Sequence, residues 1–131
     1  MATIAERLEA LQYLGQLLNP ELEETQTLIS EACAHNPWFT EDDYQYTLRH
    51  IITSYLDNQL LFEFAANYRL FDQEVTPMKV GIVMAGNIPL VRFHDLLCVF
   101  LAGHQALIKW SEKDEVFFPV MLERWSQRFP L

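Results

Sequence analysis

Between Lys79 and Trp110 the chain has room for a strand, a helix and a second strand and for nothing else, and this constrains the fold more than any other feature. Lys79 to Ala85 (KVGIVMA) is a short apolar segment between Pro77 and Gly86 that holds Val80, Ile82 and Val83, which predicts a buried strand. Leu90 to Leu101 is an apolar helix with Gly103 as its stop, and Gln105 to Trp110 (QALIKW) is the second strand. One short helix joining two strands implies a right-handed parallel crossover, half of an open α/β nucleotide-binding sheet. Two buried parallel strands are too few to be stable alone.

The flanking segments read as helices. Leu8, Leu11, Leu14 and Leu18 form one stripe that ends at Asn19-Pro20. Pro20 suits the first turn of a second helix running to about His35, with Glu21, Glu23 and Glu24 at the positive end of its dipole. Thr40 and Asp43 resemble a capping box that opens a long helix. Tyr44, Leu48, Ile51, Ile52, Tyr55, Gln59 and Phe62 track one face of it, and with no Gly or Pro to interrupt it this helix is expected to end near Tyr68. A last helix is expected from Ser111, with Ser111 and Asp114 as a capping box and a bend near Pro119. The expected organisation is α/β: a helical region over 1–76 and a partial dinucleotide-binding βαβα unit over 77–131.

Bulk properties narrow the partners. The 131 residues suffice for about one domain, and 18 acidic against 9 basic residues give a net charge of -9, which repels nucleic acid and anionic lipid. Cys33 and Cys98 have no C-x-x-C spacing, and the first residues lack a basic segment followed by an apolar one, so a cytoplasmic location is expected. The longest clean apolar run, Leu96 to Gly103, is too short for a transmembrane segment.

The candidate chemistry gathers at Gly86-Asn87-Ile88-Pro89. In a parallel sheet ligands collect at the carboxyl ends of the strands, and a helix N-terminus there offers N–H groups to an anion. Asn87 either caps the following helix or donates its amide to a developing oxyanion. Gly86 supplies a tight turn or a close backbone approach. Gly81 and Gly86 have P-loop spacing, but Asn87 and Ile88 stand where Lys and Ser or Thr are needed. Lys109 and Ser111 place a cation at a strand end and a hydroxyl at a helix start, suited to a ribose or its phosphate or, equally, to solvent and a cap. His94 and Cys98 share a helix face in apolar surroundings, which favours packing over a reactive thiol. Arg92 reaches either a phosphate or solvent.

The segment VGIVMAGNIPLVRFHDLLCVFLAGHQALIKWSEKD, Val80 to Asp114, resembles the acyl-CoA reductase family of the bioluminescence fatty-acid reductase type, a branch of the aldehyde dehydrogenase superfamily. NPWFT, with the helix after it, resembles the same family's N-terminal portion. The resemblance implies an aldehyde-dehydrogenase-like, Rossmann-type sheet. It makes Asn87, within N-I-P, the oxyanion-stabilising residue, and gives Lys109, Ser111 and Glu112, with Gly86 nearby, contacts to NADPH. Trp110 replaces the Pro of the family's K-P-S-E, and His104 an Asn. The implied activity is reduction of a long-chain acyl-CoA thioester to a fatty aldehyde through an acyl-cysteine intermediate. Neither Cys33 nor Cys98 matches the family's nucleophile, so the chain alone is expected to be inactive and to self-associate or pair with a missing C-terminal half. The alternative is a non-catalytic, truncated nucleotide-binding or interaction protein. A third reading is a relative acting on another acyl donor, such as an acyl phosphate.

Overall fold

A computed structural model describes residues 2–129. Six α-helices and a two-stranded sheet follow one another: α1 Ile4–Leu17, α2 Glu23–His35, α3 Glu41–Ser54, α4 Asn58–Asn67, β1 Lys79–Val83, α5 Phe93–Leu101, β2 Gln105–Lys109 and α6 Phe117–Arg128. Single 3₁₀ turns lie at Leu70–Asp72 and Glu112–Asp114. The strands pair in parallel, with Lys79 opposite Gln105 and Val83 opposite Lys109, and α5 is the crossover between them. The fold is thus mixed helix with a small parallel sheet, as the βαβ pattern implies.

Local chemistry sets the helix starts. Thr3 and Thr40 each accept from the backbone N–H three residues on, while Glu6 and Asp43 reach back to the cap N–H, so α1 and α3 both open on full capping boxes. The second helix begins after Pro20 rather than at it. Asn19 Oδ1 accepts from the Glu21 N–H at 2.9 Å, Pro20 is buried in the turn, and α2 opens from an extended Leu22.

The single helix expected from Thr40 to Tyr68 is two. The N–H groups of Tyr55 and Leu56 both converge on the Ile51 carbonyl, Leu56 turns into the core, and Asp57 caps α4 by accepting from Leu60 N–H at 3.0 Å. An Asp cap ends the helix where no Gly or Pro stands. The break resets the phase, so Leu61 and Ala65 face inward while Phe62 is exposed.

A capping box at Ser111 does not form either. Ser111 Oγ accepts from Lys113 N–H at 3.2 Å, whereas Asp114 turns inward and accepts from Leu90 N–H, and α6 starts only at Phe117. Pro119 therefore falls in the first turn of α6, where its missing N–H costs nothing.

The core is continuous across the chain. Tyr44 of α3 packs on Phe117 of α6 with ring centroids 5.1 Å apart, and Trp125 of α6 donates its indole N–H to the Ala10 carbonyl of α1 at 2.7 Å. The sheet lies at the edge of this core. Val80 and Ile82, with Ala106 and Ile108, face inward; Lys79, Gly81 and Val83, with Gln105, Leu107 and Lys109, face out. The expectation of buried strands is corrected: Ile82 is 7% exposed, Val83 is 68% and Leu107 is 51%. Among the described residues helices cover one face only, because the crossover helix packs there and no second layer lies over the other.

Candidate functional site at the carboxyl ends of the strands

The segments following β1 and β2 meet. Met84, just past β1, is buried and donates its N–H to the Lys109 carbonyl at 2.9 Å, which carries the register beyond the last strand pair. The chain then turns through Gly86, Asn87 and Ile88 before Pro89 and Leu90 plunge back into the core. A Cβ on Gly86 would collide with Ser111 Oγ and stand 3.2 Å from Lys113 Cβ. The missing side chain at Gly86 is thus used by the protein's own Ser111, which seats one segment against the other.

Leu90 fixes the far end of the turn. It holds φ +52°, unusual for a residue with a side chain, with that side chain buried and its N–H given to Asp114 Oδ2 at 3.1 Å. Asp114 is 6% exposed, and its Oδ1 has no hydrogen-bond partner among the described residues. Burial pushes the Asp114 carboxyl above the ordinary range, opposed by the Leu90 N–H and, more weakly, by the nearby Phe118 N–H and Tyr44 hydroxyl. The Tyr44 hydroxyl is raised in turn, by burial first and by Asp114 second.

Asn87 is exposed, four residues past Val83, the last residue of β1, and outside any helix. It does not cap α5, which opens six residues later from Arg92 without a side-chain cap bond. Of the two roles open to it, capping is removed by this geometry. Lys109 and Glu112 are exposed and Ser111 is half-buried. Gly86, Asn87, Lys109, Ser111 and Glu112 accordingly all lie in or beside the two segments that leave the strands' carboxyl ends.

Neighbouring residues take plain roles. Arg92 pairs with Asp95 at 3.1 Å, both well exposed, and is a surface ion pair. Trp110 turns toward the core, 5.3 Å from Phe118 in an edge-on contact, and anchors the exit from β2. Cys98 Sγ lies 3.8 Å from His94 Nε2, yet burial, then Asp95, pushes its thiol up. Burial, then Glu41 and Asp43, does the same to Cys33. Neither thiol is activated. Among the described residues no three His, Cys, Asp or Glu side chains gather as a metal site, and no helix is long and apolar enough to cross a membrane.

Asp114 is the participant that the sequence pattern misassigned: the S-x-x-D spacing pointed to a local cap, and only the return of Pro89-Leu90 into the core reveals its long-range partner. Compared with protein-family models, with curated proteins and with solved structures, the chain matches none of them.

Proposed function

We propose that this chain is the N-terminal part of an NADPH-dependent acyl-CoA reductase of the aldehyde dehydrogenase type, with a Rossmann-like sheet completed by further polypeptide. The observation that carries this reading is the meeting of the Asn87 turn and the Lys109–Glu112 segment at the carboxyl ends of a parallel strand pair. That is where open parallel sheets hold their ligands.

In this reading a cysteine thiolate outside this chain attacks the carbonyl of a long-chain acyl thioester, and CoA leaves as its thiol. Asn87, exposed and released from capping, donates its amide N–H to the oxygen that gains charge. NADPH, when bound, would supply the hydride that this reduction needs. The residues present have the chemistry to hold it: Lys109 offers a cation to phosphate, and Ser111 and Glu112 offer a hydroxyl and a carboxylate to ribose. Gly86 contributes through packing, since its open side is filled by Ser111. The bare outward face of the sheet supports pairing, either between copies or with the polypeptide that carries the nucleophile, because parallel strands are normally covered on both faces. The same bare face favours the second reading, a non-catalytic protein that works by binding a partner.

Titration with NADPH tests the proposal. Binding is expected, weakened about tenfold or more by Lys109→Ala, a change equal to one lost charge-assisted contact. Asn87→Ala is expected to leave this affinity unchanged. No binding, or equal binding by the Lys109 variant, overturns the cofactor assignment. Aldehyde formed from acyl-CoA and NADPH by this chain alone overturns the requirement for an external nucleophile.

A further inference from the structure

A cleft of about 520 Å³ opens between α1, α5, α6 and β2, where its lining runs from Gln105 to Ile108. Its walls are mainly apolar, with Leu96, Ile108, Leu122 and Trp125 among them beside the polar Gln105 and Ser126, and the Trp125 indole N–H is already committed to Ala10. Arg7 of α1 also lines it. Arg7 is 8% exposed and continues the buried stripe of Leu11, Leu14 and Leu18, an unusual place for a cation.

Buried charges are normally paired. The guanidinium has five N–H donors, and among the described residues it makes one hydrogen bond, from Nη1 to the Phe100 carbonyl at 3.0 Å, with its carbon 5.3 Å from the Phe100 ring centroid. No described carboxylate comes within ion-pair distance of it. Burial lowers its pKa, partly offset by Glu6, without supplying a counter-charge in the cleft.

Two further observations point to the sign of a ligand. In a chain with 18 acidic residues, none of the described residues lining the cleft is Asp or Glu. His104, also in the lining, accepts the Met78 N–H on Nδ1 at 3.1 Å, which leaves the proton of the neutral ring on Nε2 as a second donor. A cation with unused donors, a neutral N–H donor and a mainly apolar wall are complementary to one negative charge on an aliphatic tail.

We infer that this cleft is a binding site for an aliphatic monoanion, a carboxylate or its equivalent with a short to medium hydrocarbon chain, whose head group pairs with Arg7 and whose tail lies along Leu96, Ile108, Leu122 and Trp125. A planar carboxylate matches the guanidinium fork. The site runs along β2, shares no lining residue with the Asn87 turn, and does not depend on the reductase reading.

The test uses octanoate, octyl sulfate and 1-octanol, each below its aggregation concentration, titrated into the ¹⁵N-labelled chain with the Trp125 indole signal followed by NMR. Both anions are expected to shift that signal saturably, and octanoate to bind at least about tenfold more tightly than octanol. Octyl sulfate binding as tightly as octanoate assigns the recognition to charge; weaker binding assigns it to the planar fork. Arg7→Met is expected to bring octanoate down to the affinity of octanol and leave octanol unchanged. Equal affinities for octanoate and octanol in the unaltered chain overturn the inference, as does an Arg7→Met protein that keeps its octanoate affinity. The octanoate–octanol ratio decides the matter even where the variant does not fold.

Discussion

At the scale of single residues, Asp114 sets the terms on which the Asn87 turn is held. Its carboxylate accepts the N–H of Leu90, a residue in left-handed backbone conformation, yet the same carboxylate is buried with one oxygen unpartnered among the described residues. Because burial raises its pKa in the folded chain, the folded state binds this proton more tightly than the unfolded one. Stability contributed by the protonated form is therefore present at low pH and lost as pH rises through the raised value. Asp114→Asn keeps an oxygen for Leu90 and removes the charge. It is expected to be at least as stable as the unaltered protein at neutral pH, and the unaltered protein should gain on it as the pH falls toward the ordinary carboxylate range. Urea unfolding of both proteins across that window measures the difference, in which other carboxylates cancel. A widening advantage for Asp114→Asn on acidification would contradict the assigned direction.

At the scale of elements, the parts written in local periodicity were readable and the parts set by distant partners were not. The strands at Lys79 and Gln105, the body of the crossover helix and the Thr40 capping box follow from apolar runs and cap residues alone; the helix's expected start at Leu90 does not hold, since Leu90 takes a left-handed backbone and α5 opens at Phe93. The α3–α4 break, the late start of α6 and the burial of Asp114 do not, because each depends on which side chain the core admits: Leu56 in one case, Leu90 and Phe117 in the others. The candidate site was legible as a set of residues at two strand ends. The contact that joins them was not, since Gly86 read as a conformational or cofactor-facing glycine until Ser111 filled its open side. That contact makes a test of how the two segments are coupled. Gly86→Ala is expected to cost about 1–3 kcal/mol by overpacking. Ser111→Ala in the same chain should recover part of that cost, since the Lys113 carbons, at 3.2 Å, are less severe neighbours. Additive losses in this double-mutant cycle, measured by chemical unfolding, would mean that the two segments do not bear on each other.

For the molecule as a whole, the decisive property is that its parallel sheet has one covered face. An inward Ile82 and an outward Val83, adjacent and both β-branched, sample the two sides of the same strand. Ile82→Ala removes buried methyl groups from a packed core and is expected to destabilise the chain by about 2–5 kcal/mol. Val83→Ala removes them from solvent, and its cost should stay within about 1 kcal/mol, the span of strand propensity. Unfolding measured at low protein concentration makes this comparison for the isolated chain. At high concentration it becomes a probe of association: a bare strip holding Val83 and Leu107 gains from being covered, so a copy that covers it would raise the cost of Val83→Ala with concentration and leave that of Ile82→Ala alone. If the Val83→Ala cost instead stays small at every concentration, copies of this chain do not cover this face.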